Sequence, residues 1–126
     1  MRTVLSCLAL LLVAGAAAAA TGETPAATAA VCKAIENNVC EGAAFRFPAN
    51  VGKLWGFSQV SHVSDKIVHI WFYRDRELGH VDLPVKADHW RTWSNITVSS
   101  NMTGPWRLEV RDASGKLLAS YKFTIE

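Results

Sequence analysis

Between positions 66 and 74 the chain reads Lys-Ile-Val-His-Ile-Trp-Phe-Tyr-Arg. β-branched and aromatic residues fill this run, and neither Gly nor Pro interrupts it, so it predicts a strand. Val68, Ile70 and Phe72 share one face; Ile67, His69, Trp71 and Tyr73 share the other. A strand apolar on both faces belongs inside a sheet with material over each side. We read the Val68 face as the core and the His69–Trp71–Tyr73 face as the place for function.

The rest of the chain, from about residue 30, shows strand-like runs and no sustained helical period. Residues 31–35 predict a first strand. Residues 42–47 put Phe45 and Phe47 on one face and stop at Pro48. Residues 53–61 carry Leu54, Trp55, Phe57 and Val60 with no clear parity, and Gly56 reads as a bulge. A turn at Asp75-Arg76 leads into a strand over 77–85. With Arg74 opposite Glu77, Phe72 pairs with Gly79, Ile70 with Val81 and Val68 with Leu83, so every core position meets an apolar residue or a Gly. The same register sets His69 opposite Asp82 and Trp71 opposite His80.

In 90–99, Ile96 and Val98 should point inward, while Arg91, Trp93, Asn95 and Thr97 share the other side. Residues 106–111 alternate cleanly: Trp106, Leu108 and Val110 against Arg107, Glu109 and Arg111. After a turn at Ala113-Ser114-Gly115, the last strand should bury Leu117, Ala119, Tyr121, Phe123 and Ile125. Seven or eight short strands with regular turns predict an all-β chain, an immunoglobulin-like antiparallel β-sandwich. A small β-barrel is the alternative.

The N-terminus has a different composition. Met1-Arg2, a Leu-rich run and the Ala-rich stretch to Ala20 predict a secretory signal peptide over residues 1–20. The apolar run is too short for a comfortable span of roughly 20 residues, which makes a retained anchor the weaker reading and leaves no transmembrane span in the mature chain. Residues 21–30, rich in Ala, Thr and Pro, read as a flexible linker, and residues 31–126 as the sandwich domain. Cys32 and Cys40 remain after cleavage, and an even count in an oxidising compartment predicts a disulfide between them. Their spacing fits neither a redox CxxC nor a zinc knuckle. The expected location is periplasmic or secreted.

Charge excludes one function class. The chain has 13 Lys and Arg against 11 Asp and Glu. Loss of Arg2 with the leader would leave these nearly balanced, and phosphate binding needs a clustered positive surplus. No nucleic-acid partner is expected.

Five segments, VCKAIEN, FPANVGKLWGFSQV, IVHIWFYRDRE, LPVKADHWRTWSN and GPWRLEVRDASGKLLASYKFTI, together resemble the bacterial domain of unknown function 2914 family. The resemblance runs from Val31 to Ile125, and its more specific parts are the H-x-W strand and W-R-T-W-S. It implies a small all-β domain, often secreted or attached to membrane segments, with no assigned activity. The family often has a Cys near the place held here by Gly56, and in this chain Cys40 would substitute as the disulfide partner.

His69, Trp71, Tyr73, His80 and Asp82 form the candidate patch, with Arg91 and Trp93 bordering it. Three readings compete. In the structural one, Trp71 is the buried strand Trp of a sandwich and the two faces are reversed. In the recognition one, the aromatic rings and Arg stack on a sugar or on a partner's side chain. In the chemical one, two His and an Asp bind a metal, or Asp82 orients His69 toward a nucleophile such as Ser94. Asp82 beside His69 would raise the imidazole pKa. No GxSxG, HExxH or glycine-rich phosphate loop is present. The sequence therefore reads as a non-enzymatic module without a cofactor that binds an envelope protein or glycan, or is structural. A small metal-dependent or His-based hydrolase using His69, His80 and Asp82 is the alternative.

Overall fold

A computed structural model of the chain describes residues 23–126. The signal-peptide segment, 1–20, lies outside the described residues. Ten strands follow in order: β1 (Ala26–Cys32), β2 (Ala34–Glu36), β3 (Val39–Glu41), β4 (Arg46–Phe47), β5 (Lys53–Ser61), β6 (Lys66–Tyr73), β7 (Arg76–Pro84), β8 (His89–Thr97), β9 (Gly104–Asp112) and β10 (Leu117–Ile125). They build a three-stranded sheet β1-β5-β8, a five-stranded sheet β4-β10-β9-β6-β7, and the small hairpin β2-β3. The two larger sheets pack as a sandwich. All pairings are antiparallel except the short β4–β10 contact.

The core lies between the two larger sheets. One cluster joins Val31 and Leu54 of the small sheet to Trp71, Trp106, Leu108 and Phe123 of the large one. A second cluster, at the other end, joins Val60 to Val63, Ile67 and Val110. Trp71 meets Phe123 edge-on at 6.3 Å, and Trp106 stacks on Phe123 at 5.8 Å. Both geometries are favoured for aromatic pairs.

The expected face of β6 is reversed. Ile67, His69 and Trp71 are fully buried between the sheets, whereas Ile70 and Phe72 lie on the outer side. The neighbouring strand supplies the reason. On β9, Trp106, Leu108 and Val110 alternate unambiguously inward, and they sit opposite Tyr73, Trp71 and His69. A strand apolar on both faces follows the parity of a neighbour that is apolar on only one. On the outer side, long charged side chains cover what β6 leaves there: the Arg107 guanidinium lies 4.1 Å from the Phe72 ring centroid. Arg107 and Arg111 both donate to Glu109, at 3.0 and 2.7 Å. Such stems shield apolar surface while their charged ends reach water.

The β6–β7 register also differs from the expected one. Its turn is Arg74-Asp75, with φ of 50° and 64°, closed by Tyr73 opposite Arg76. Positive φ at both central residues is the two-residue hairpin turn whose twist suits the flanking strands. The ladder then skips Leu78, so Phe72 faces Glu77 and Trp71 faces Gly79. His69 lies opposite Val81, Val68 opposite Asp82 and Ile70 opposite His80. The expected His69–Asp82 and Trp71–His80 pairs do not form.

Two further differences concern strand ends. Ala26 to Ala30, read as linker, belong to β1, which pairs with β5 along its whole length. Its inward positions are Ala27, Ala29 and Val31; Ala27 and Ala29 pack on the second core cluster and Val31 lies in the first. Small residues suit a strand laid close across the core, although the same composition resembles a tether. In β10 the register shifts between Leu117 and Ala119. Leu117 is consequently 45% exposed, while Leu118 packs on the core.

Gly56 sits on the inner face of β5. A Cβ there would lie 2.7 Å from both Trp71 Cζ2 and Leu108 Cδ2. The missing side chain is what lets the indole reach the opposite sheet. Cys32 and Cys40 are joined by a disulfide, which ties the β2–β3 hairpin to the end of β1.

Candidate functional site

The seven residues of the expected patch occupy separate regions. His69 and Trp71 lie in the interior. His69 Nε2 is 2.7 Å from Ser58 Oγ on β5, and its Nδ1 is 2.7 Å from Ser94 Oγ on β8. Trp71 Nε1 donates to the same Ser94 Oγ at 3.1 Å. One imidazole on the large sheet thus binds two strands of the small one. Burial lowers the His69 pKa to about 4, so the ring is neutral in neutral solution. The expected rise through Asp82 does not occur, because that carboxylate lies on the opposite face of the large sheet. The anticipated His69–Ser94 contact is present, but both ring nitrogens are engaged by serines and the ring is wholly buried. Its geometry is that of a polar tie between sheets, which satisfies groups that would otherwise be costly to bury.

Tyr73 ends the same inner row. Its ring leans on Trp106 at 5.0 Å, and its hydroxyl donates to the Thr103 carbonyl at 2.7 Å. His80 and Asp82 stand outside, on the solvent side of the large sheet. His80 is 3.5 Å from both Glu77 and Asp82. The Lys66 ammonium donates to Asp82 at 3.0 Å and holds that carboxyl below the usual range.

Arg91 and Trp93 belong to a third place, the outer face of β1-β5-β8. The register sets three rows across this sheet. Thr28, Gln59 and Arg91 form one; Ala30, Phe57 and Trp93 the second; Cys32, Trp55 and Asn95 the third. The Phe57 and Trp93 rings run nearly parallel, 10° apart with centroids at 6.2 Å. The Lys53 ammonium lies 5.8 Å from the Trp55 ring. The disulfide-tethered β2–β3 hairpin flanks the face. Between Asn38 and Val39 of that hairpin and Phe57, Gln59 and Arg91 of the sheet is a groove of about 450 Å³. Trp55, Phe57 and Gln59 were not expected here. Their parity was hidden by Gly56, and it becomes plain once Gly56 is placed under Trp71.

The His69, His80 and Asp82 metal set is not assembled, since an entire sheet separates His69 from the other two. Among the described residues, a different trio, His62, Asp88 and His89, brings donor atoms within 4.8 Å of one another. No helix among the described residues is long and apolar enough to cross a membrane.

A model of the family described as Protein of unknown function (DUF2914) matches residues 64–125, from just before β6 to the last residue of β10. The chain resembles that family over these strands, which include the H-x-W and W-R-T-W-S segments. No curated protein matches the chain.

Proposed function

We propose that this chain, similar to a family without an assigned activity, is an exported, non-enzymatic module that binds an envelope glycan on the outer face of β1-β5-β8. The observation behind this reading is the row structure of that face. An outward sheet face is ordinarily polar, yet here the half-buried Trp55 and Trp93 stand on it between Gln59, Arg91 and Asn95, with Phe57 buried beside them. Sugar rings offer C–H faces that stack on indole and phenyl rings, and hydroxyls that pair with amide and guanidinium groups. The groove beside Phe57 falls in the usual size range of small-ligand sites.

Size favours a glycan over a folded partner. β5 and β8 each run nine residues, so the face measures roughly 30 Å by 10–14 Å from strand rise and spacing. That is about half of the ~800 Å² per partner that a stable protein interface covers. The Cys32–Cys40 disulfide supports export, because such bonds persist in oxidising compartments.

Binding of purified envelope polysaccharide, measured by calorimetry on the native protein and on Trp93→Ala and Arg91→Ala, tests the proposal. Both variants should lose binding while melting near the native temperature, and His80→Ala on the other sheet should bind normally. Unchanged binding in both variants would overturn it. Saturable capture of a folded envelope protein through Trp93, without polysaccharide binding, would replace the glycan with a protein partner.

A further inference from the structure

We propose that His62, Asp88 and His89 form a site for a divalent first-row transition ion of the zinc class. The three residues meet at one end of the sandwich. His62 directly follows β5, Asp88 precedes β8, and His89 opens β8 opposite Ser61. The His62 amide donates to the Asp88 carbonyl at 2.8 Å, so the two loops are fixed to each other before any side chain is considered.

Each imidazole has one nitrogen held from behind and one turned toward the same carboxylate. His62 Nε2 is 2.7 Å from Glu23 Oε2, while its Nδ1 is 2.9 Å from Asp88 Oδ1. His89 Nδ1 is 3.1 Å from Ser61 Oγ, while its Nε2 is 3.9 Å from Asp88 Oδ2. This is the arrangement in which a metal-binding histidine is oriented by a carboxylate or hydroxyl on its far nitrogen. Of the two His62 ring nitrogens, Nδ1 is the one that shares Asp88 with His89, and Nε2 is left to Glu23.

The donor spacing fits. Bonds of about 2.0–2.2 Å in a tetrahedron put neighbouring donors roughly 3.3–3.6 Å apart. The His62 Nδ1–Asp88 distance of 2.9 Å and the His89 Nε2–Asp88 distance of 3.9 Å bracket that value, and the exposed Asp88 and His89 side chains need only small rotations to reach it. Two imidazoles and one carboxylate favour zinc, copper or nickel over calcium and magnesium, which prefer all-oxygen shells. Three protein ligands leave a fourth position for water. A bound ion would tie the β5–β6 connection to the start of β8, with Glu23, just ahead of β1, clasped to His62.

The test is calorimetric titration of tag-free, chelator-treated protein with zinc chloride alone. One zinc per chain is expected, with no heat from magnesium chloride at the same concentrations. His89→Ala and His62→Asn should each weaken zinc at least about tenfold, in line with the loss of a ligand or its support. Asn is chosen because His62 has a φ of 58°, which Asn tolerates. His89 is exposed, so its variant should keep the native melting temperature without metal, separating lost binding from lost fold. His80→Ala, which alters the other exposed His beside carboxylates, should change nothing. Absence of zinc binding, unchanged affinity in both variants, or an equal loss in His80→Ala would overturn the site.

Discussion

His69 Nδ1 on β6 lies 2.7 Å from Ser94 Oγ on β8, and through this contact the two sheets share a buried imidazole. Ser58 holds the other ring nitrogen and Trp71 shares the Ser94 oxygen. A core His held this way contributes specificity of packing, since sliding one sheet over the other would strand several polar groups at once.

Its titration should be visible in stability. Unfolded, the imidazole takes up a proton near pH 6.5; folded, burial delays this to about 4. Between those values the unfolded chain binds more protons. The contribution is therefore full above about pH 6.5 and is lost as pH falls toward 4, on the order of 3 kcal/mol in all. Denaturant midpoints at pH 7.5 and 4.5 should diverge in the native protein and much less in His69→Gln. An equal pH slope in both would remove His69 as its source.

The two tryptophans should separate cleanly. Trp71→Ala opens a cavity among Leu108, Phe123 and the sheet opposite, and is expected to cost about 3–5 kcal/mol. Trp93, on the outer face, should cost far less. Chemical denaturation of both variants checks this, and a Trp93→Ala loss as large as that of Trp71→Ala would mean that Trp93 is core.

Which face of β6 is the core can be read from a pair of isoleucines. Ile67 is fully buried and Ile70 only partly. Ile67→Ala should cost about 2–5 kcal/mol, and Ile70→Ala clearly less. The reverse order in a denaturant series would contradict the observed facing.

Gly56→Ala should destabilise by about 1–3 kcal/mol through overpacking, because the new methyl would press on Trp71 and Leu108. Pairing it with Trp71→Phe, which frees space at that contact, should recover part of the loss. Independent, additive effects in the double variant would show that the two positions are not coupled.

Reduction of Cys32–Cys40 opens a loop with a sequence separation of 8, for which the chain-entropy account gives about 2.5 kcal/mol. Thermal melts with and without reductant measure it. Because the bond anchors the β2–β3 hairpin beside the groove, reduction should also weaken polysaccharide binding under conditions where the fold persists.

Much of this architecture is present in local pattern. The clean alternation of Trp106, Leu108 and Val110 against Arg107, Glu109 and Arg111 is enough to orient β9, because charge and hydrocarbon cannot exchange faces without large cost. The same reasoning places Arg91, Trp93 and Asn95 together on an outer face. The cysteine count led to the disulfide, and the short runs between turns led to an all-β sandwich. The family likeness over residues 64–125 is carried by these same strands.

What the sequence by itself determined, then, is wherever one face of a strand is polar and the other is not. Tertiary structure decided the cases where that contrast is missing. β6 is apolar on both sides, so only its pairing with β9 chose between Ile70 and Trp71, and only the Arg74-Asp75 turn and the skipped Leu78 set its register with β7. β1 is too rich in Ala to announce itself, and becomes a strand because β5 pairs with it across the core. Ser58, His69 and Ser94 lie far apart in sequence, as does His62 from the adjacent Asp88 and His89, and neither set carries a spacing signal. Side chains from separate strands meet only when sheets stack and ladders end together, and that is a property of the assembled sandwich.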